Sequence, residues 1–507
     1  MKKKISGLIF SLSIIFSTLI TAFAESDTAI EETAKIFDLQ TILDSFIKSP
    51  SAVTVMVISF ALILVFAVFR KKIYTSLDNS SAKKMTNAFI AFFSVSGIIC
   101  LALAFATEGA TWSNMMHVSD GTDKYYAQFE NYIVGVKSAG TKNFSKTATV
   151  NTPFAQMIYL FLAQFLPTKL IRGESLVQYS SILRNQTFMF LYLILILFVV
   201  VLIYRMSRIV LSNNKLTLRN EIIAFMLAFS FPAIFCFEKG SITVLLSFVL
   251  TLVFMLFRND EKALIRELSY TALAASAAIT PYTLIFAVFL LEKKTVKAIL
   301  RFTRTILYFI VLFIAPATLT GAENLSAYMN SLISVSAEGF IPGNMSIANL
   351  FHFLGIHSIP VIYAVGLLTG LIALIAMFVL PATWQKAAAA VYTILNIYAV
   401  SDAVAMIFVF IPFIFLLAEK EHKPINWLYL LSFAMMITPL PEWFLYDANF
   451  HTFLASMNID NIRNANNLIV LAAAQCIFIA IFCQAVSKMK EKKSKKAVKQ
   501  AEQQINA

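Results

Sequence analysis

The sequence predicts an all-α, polytopic integral membrane protein built as a helical bundle with a large first outer loop and short interfacial helices. Three observations carry that prediction. Hydrophobic residues make up 59% of the 507 and charged residues only 14%, against the roughly 25% charge that a water-facing surface needs, and the mean hydropathy is +0.76. Apolar runs recur at the length that crosses a hydrocarbon core, about 20 residues. Lysine and arginine gather beside the ends of those runs, alternately and on one side, as the positive-inside rule requires. The net charge of +13 is therefore spread over membrane boundaries; it forms no single patch of the kind that binds nucleic acid.

The elements follow in order. Lys2-Lys3-Lys4, the apolar Ile5–Ile20 stretch and Ala22-Phe23-Ala24 have the three-part pattern of a secretory signal peptide over residues 1–24, or of an uncleaved first helix. Residues 25–84 hold an outer amphipathic stretch, with Ile36, Leu39, Ile42, Leu43 and Phe46 at helical spacing, and an extra span, Ser51–Phe69, stopped by Arg70-Lys71-Lys72. The main domain, 85–487, continues with expected spans at Met85–Thr107, Phe188–Tyr204, Ile222–Phe235 and Ile242–Phe257, and later ones at about Thr305–Leu319, Pro360–Leu380, Ala387–Val400, Ala403–Leu417, Ile425–Leu440 and Leu468–Ser487. Leu268–Leu291 has basic residues at both ends and Thr280-Pro281-Tyr282 in its middle. A single crossing would put Lys293, Lys294, Lys297 and Arg301 on the wrong side, so two short helices meeting at Pro281 are expected. Such broken helices line cavities in membrane proteins. The total is about thirteen membrane segments, followed by a basic cytoplasmic tail, 488–507.

Chemistry is expected in the charged loop between Met116 and Pro167, on the outer face. Ser119-Asp120-Gly121-Thr122-Asp123-Lys124-Tyr125-Tyr126 offers two carboxylates. Either one, partly desolvated, acts as a general base on a hydroxyl, or it holds a divalent cation through hard oxygen ligands, or the stretch is a solvated turn. Tyr125, Tyr126, Phe129 and Tyr132 fall at helical spacing, a face suited to the lipid–water interface and to stacking on a sugar ring. Pro153–Leu166 is apolar but only about two-thirds the length of a comfortable span, and reads as a re-entrant or interfacial helix. The cysteines (Cys100, Cys236, Cys476, Cys483) lie in apolar runs without metal-type spacing, so no metal site is assigned to them. No glycine-rich phosphate loop, nucleophile elbow or zinc signature occurs.

The order of these elements resembles glycosyltransferase family 87, within the wider GT-C superfamily. The residues that carry the resemblance are Asp120 or Asp123 followed by Tyr125-Tyr126, then Asn151-Thr152-Pro153-Phe154, the turn Phe235-Cys236-Phe237-Glu238-Lys239-Gly240, the stretch from Glu267-Leu268-Ser269-Tyr270 to Pro281-Tyr282 and Leu290-Leu291-Glu292-Lys293-Lys294, and Gly343-Asn344-Met345-Ser346-Ile347. It covers roughly Met85 to Leu417. The chain departs from the family pattern at Thr280, where lysine is frequent, and at Lys239, which stands in place of an amide.

The resemblance implies an enzyme, a polyprenyl-phosphate-sugar-dependent hexosyltransferase of the cell envelope. It would move a mannose-like sugar, with inversion, to an outer-leaflet glycolipid or glycan. Asp120 or Asp123 is then the general base, with Asp120 ahead because its offset from the tyrosines is the commoner one. Lys124, Lys239 and Asn344 are candidates for the donor phosphate, and Tyr125, Tyr126 and Glu238 for sugar or acceptor. No cofactor is implied beyond a divalent cation, and no nucleic-acid partner. The rivals are a transporter or flippase of lipid-linked sugars, which internal repeats and charges deep in the spans would favour, and a scaffold subunit of an envelope assembly.

Overall fold

The computed structural model describes residues 80–106, 129–141, 151–166, 185–292, 295–320, 325–326, 328, 344–353, 359–397, 403–439 and 465–505. The expected signal segment, the outer amphipathic stretch and the span Ser51–Phe69 lie outside them. The described chain is helical apart from one two-residue pairing, in which β1 (Ser80–Ser81) runs antiparallel to β2 (Glu421–His422).

Five described helices or helix pairs are long and apolar enough to cross a membrane: Ala82–Ala102, Gln186–Leu211, Thr217–Glu238, Val296–Thr320 and Ile469–Glu491. Six shorter apolar helices accompany them, among them Ile242–Phe257, Val404–Leu417 and Pro424–Ile437. The Thr217–Glu238 span is a pair: α5 (Thr217–Ala228) ends at Phe229-Ser230, and α6 (Phe231–Glu238) restarts with Pro232 in its first turn, where a missing N–H costs nothing. The last helix, Ala465–Ile505, continues through the lysine-rich tail.

The expected break at Pro281 is present, and its geometry is a hairpin. Helix α8 (Ala263–Ile279) ends at Thr280, whose backbone is extended, and a 3₁₀ helix, Pro281–Leu291, follows. The extended backbone is what a residue before proline prefers. The 3₁₀ helix returns along α8, because Arg258, which precedes α8, lies over the ring of Phe289 at 4.9 Å and the Tyr270 hydroxyl donates to the Arg258 carbonyl at 3.3 Å. Both ends of the apolar stretch thus lie at one end of the bundle, as the charge pattern of Lys297 and Arg301 demands.

That end is rich in basic side chains, several of them paired with carboxylates. Arg304 pairs with Glu267 at 2.6 Å, Lys386 with Glu292 at 2.8 Å and Arg208 with Glu221 at 2.6 Å, and the β1–β2 pairing lies beside Lys83, Lys84, Lys420 and Lys423. Near its apex the hairpin is tied to the Ile242–Phe257 helix by buried hydroxyls. Ser276 Oγ lies 2.7 Å from Ser247 Oγ, 2.8 Å from Thr251 Oγ1 and 3.0 Å from Thr283 Oγ1, and Thr280 Oγ1 also bonds Ser247 Oγ. In hydrocarbon every polar group freed by a helix break needs a partner inside the protein, and this cluster supplies them.

Candidate functional site

The other end of the bundle brings together three segments far apart in sequence. Helix α6 stops at Glu238 because Gly240 takes a φ of +69, the left-handed conformation that glycine adopts without steric cost. The resulting turn docks on the start of α2 (Glu130–Thr141): Phe129 N donates to Glu238 O at 2.7 Å and Asn131 N to Lys239 O at 2.9 Å. Asn131 Nδ2 donates to Ser241 Oγ at 2.7 Å. A Cβ on Gly240 would lie 2.6 Å from the Tyr132 Cβ and 3.1 Å from the Phe129 Cα, so the close approach requires glycine. The Tyr192 hydroxyl, from helix α4 (Gln186–Leu211), donates to the Phe237 carbonyl.

The third segment is α3 (Pro153–Ala163), whose 11 residues extend about 16 Å, half a membrane thickness, as expected for a helix that does not cross. Thr152 caps it, accepting from Ala155 N at 3.2 Å. The same hydroxyl donates to Ala278 O at 2.7 Å and Ile279 O at 3.1 Å. The Asn-Thr-Pro motif is therefore the joint between α3 and the apex of the α8 hairpin. Helix α2 lies against α3 so closely that a Cβ on Gly135 would meet the Tyr159 ring at 2.6 Å, and Gln156 Nε2 donates to Ser138 Oγ at 3.0 Å.

A small apolar core of its own underlies these segments. Tyr132 stacks on Phe188 with centroids 4.4 Å apart, and Tyr159, Leu162, Val136 and Ile242 are buried with it. Burial pushes the Tyr132 hydroxyl well above its usual pKa and the Tyr159 hydroxyl up to about 12, the latter opposed by its bond to Thr243. Both phenols stay protonated at neutral pH and serve as packing groups.

The site opens to the lipid side. A groove of 570 Å³ runs between α4 and α6, walled by Phe190, Leu193, Ile196 and Ile234, and the Glu238 side chain lies at its rim. Lys239, the next residue, holds its Nζ 5.8 Å above the Phe235 ring. An apolar trough with charge at one end suits a lipid with a polar head.

Of the residues singled out in the sequence, Glu238 and Lys239 stand at this junction. Asp120, Asp123, Lys124, Tyr125 and Tyr126 lie outside the described residues; the nearest described residue is Phe129. Asn344 is buried in a different joint. Its Oδ1 accepts from Ser346 N at 3.0 Å and Ser346 Oγ at 2.6 Å, and its carbonyl accepts from Asn349 at 2.8 Å, shaping the turn into α11 (Ile347–Phe353). Asn396 and Gln475 clamp that turn through Ile347 N and Met345 O. Among the described residues no group of three or more His, Cys, Asp or Glu is placed to hold a metal ion.

Sequence reasoning passed over Asn131, Gly135 and Ser241. Gly135 and Ser241 act through contacts between distant segments and leave no local pattern. Asn131 sits one turn from the tyrosines but reads as an ordinary helix residue. Thr152 was visible in its motif, though its bond to the hairpin apex was not.

Neither the curated proteins nor the solved structures include a match to this chain. The family comparison covers less than the resemblance read from the sequence, beginning after the charged loop and ending near Leu417, but it includes the Glu238–Gly240 turn, the hairpin and the Asn344 turn. Residues 181–412 match the model of glycosyltransferase family 87, and that match supports a membrane glycosyltransferase, an enzyme that transfers sugar.

Proposed function

We propose that the protein moves a hexose from a polyprenyl-phosphate donor to an outer-leaflet glycolipid or envelope glycan, with inversion at the anomeric carbon. The observation that carries this reading is the lipid-open groove ending at the Glu238–Gly240 turn. Its apolar walls suit an isoprenoid chain lying in the bilayer, and its rim puts the head of that lipid beside Glu238 and Lys239. Phe129 hydrogen-bonds to the same turn, and only about 10 Å of extended chain separates it from Tyr126. The Asp120–Tyr126 stretch precedes this joint in sequence, which supports assigning the reacting carboxylate to it.

In this mechanism the acceptor hydroxyl oxygen forms the new bond to the anomeric carbon as the bond from that carbon to the phosphate oxygen breaks. The electron pair leaves on the phosphate, and the hydroxyl proton passes to the carboxylate of Asp120 or Asp123. Leaving-group charge needs cations or donors; Lys239 supplies a point charge at the groove rim, with Lys124 a second candidate from the loop. Asn344 acts at a distance by holding its turn. Glu238, Tyr125 and Tyr126 orient the sugar or acceptor. A divalent cation, if held, would belong to the Asp120–Asp123 stretch and would neutralise phosphate charge there.

Basic residues at the opposite end support an outer-face site and a cytoplasmic Lys-rich tail under the positive-inside rule. Sugar transfer in membranes supplied with radiolabelled polyprenyl-phosphate sugars tests the reading. Asp120→Asn or Asp123→Asn at normal abundance should abolish transfer. Intact protein that consumes no donor, with both variants behaving like it in cells, would favour a flippase.

A further inference from the structure

A second groove, larger than the first, lies on another face of the bundle and ends at the opposite, basic end. Its 650 Å³ separate α1 (Ala82–Ala106) from α5, with Gly97, Ile98 and Leu101 on one wall and Phe225 and Phe229 on the other. Gly97 forms its floor: a Cβ there would meet no atom within 4 Å. The groove closes on Glu221 and Tyr204. That carboxylate is already neutralised, accepting from the Tyr204 hydroxyl and from Arg208 Nε at 2.6 Å.

Basic residues from three helices lie near this mouth. Arg219 Nε reaches across to Asn87 Oδ1 at 2.6 Å, joining the first turn of α5 to α1; Lys83 and Lys84 lie one turn before Asn87 on the same helix, and Arg205 on α4 acts electrostatically on the Tyr204 hydroxyl. From Glu221 to Phe229 the apolar trough extends about 12 Å along the helix. We propose that this groove holds an anionic glycerophospholipid, with one acyl chain over Gly97 and the phosphate among Arg219, Arg205 and the α1 lysines. Charge complementarity selects that occupant. The groove's polar end lies at the end of the bundle away from the Glu238–Gly240 turn, so a lipid seated there keeps its head away from the reaction; it ties α1 to α5 as a fixed component.

Native mass spectrometry of the full chain, purified in detergent and titrated with phosphatidylglycerol or phosphatidylcholine of matched chains, tests the assignment. One phosphatidylglycerol should be retained about tenfold more tightly than phosphatidylcholine, the scale set by one or two cations at a headgroup. Gly97→Leu, which projects into empty space and leaves the packing intact, should remove that bound lipid with an unchanged thermal midpoint. Arg219→Gln should lower phosphatidylglycerol to the level of phosphatidylcholine. Equal retention of the two lipids, or Gly97→Leu retaining the lipid, overturns the proposal. So does efficient cross-linking of Gly97→Cys to the apolar Ser51–Phe69 segment, which would assign the groove to the chain itself.

Discussion

Replacing Gly240 by alanine isolates the joint on which the site depends. The perturbation is one methyl group in a backbone conformation with φ +69. Holding an alanine there costs about 1 kcal/mol relative to glycine. The methyl would also lie 2.6 Å from the Tyr132 Cβ, 3.0 Å from the Tyr132 N and 3.1 Å from the Phe129 Cα. None of these atoms is the far end of a flexible side chain, so a rotamer change cannot relieve the clash, and overpacking of this kind costs about 1–3 kcal/mol. Together the strain is roughly 2–4 kcal/mol. It is relieved most cheaply by lifting the turn off α2, which breaks the bonds from Phe129 N to Glu238 O and from Asn131 N to Lys239 O.

The bundle core elsewhere does not depend on that contact, so the variant should still insert and fold. Scanning fluorimetry of detergent-purified protein should show a lowered midpoint, and transfer from a polyprenyl-phosphate sugar in membranes should fall at least tenfold at equal abundance. Gly366→Ala, where a Cβ meets nothing within 4 Å, is the matched control and should change neither. If Gly240→Ala keeps both wild-type stability and wild-type transfer, the reasoning that transfer depends on docking of this turn on α2 is wrong.

Thr152→Val removes an N-cap and two hydrogen bonds to the hairpin apex while keeping the side-chain shape, and should cost about 2 kcal/mol or somewhat more; a midpoint equal to that of the intact protein would show the joint to be dispensable. Leu193→Trp fills the groove beside Glu238 and should raise the apparent KM for long-chain polyprenyl donors more than for short-chain analogues, whereas equal effects would place the lipid elsewhere. His422, buried in the β1–β2 pairing, has its pKa lowered from 6.5 to about 4 by burial. Being depressed in the folded state, it favours folding fully above pH 6.5 and loses that contribution as pH falls through 6.5 toward 4, by at most about 3 kcal/mol. His422→Gln should flatten the fall in thermal midpoint between pH 7 and 5; an unchanged slope would assign that fall to other groups.

The amino-acid order alone determined the membrane class, the basic end of the bundle, the short helix after Pro153 and the break at Pro281. Each follows from local physics: apolar length against bilayer thickness, charge against membrane side, and the restraint proline places on the residue before it. It also marked Glu238 and Lys239, through the resemblance of the Phe235–Gly240 stretch to the family's turn. Several shorter helices fell below a full crossing length, because in a bundle neighbouring helices, and not lipid alone, cover the apolar surface of a segment such as Ile242–Phe257. Only the tertiary structure decided which distant segments meet. That Gly240 presses on Tyr132, that Thr152 bonds the hairpin apex, that Asn344 shapes its own turn and that grooves open beside Glu238 and over Gly97 all depend on contacts between residues up to more than a hundred positions apart. Periodicity and composition report the surroundings of one segment at a time, so contacts of that range are not written in them.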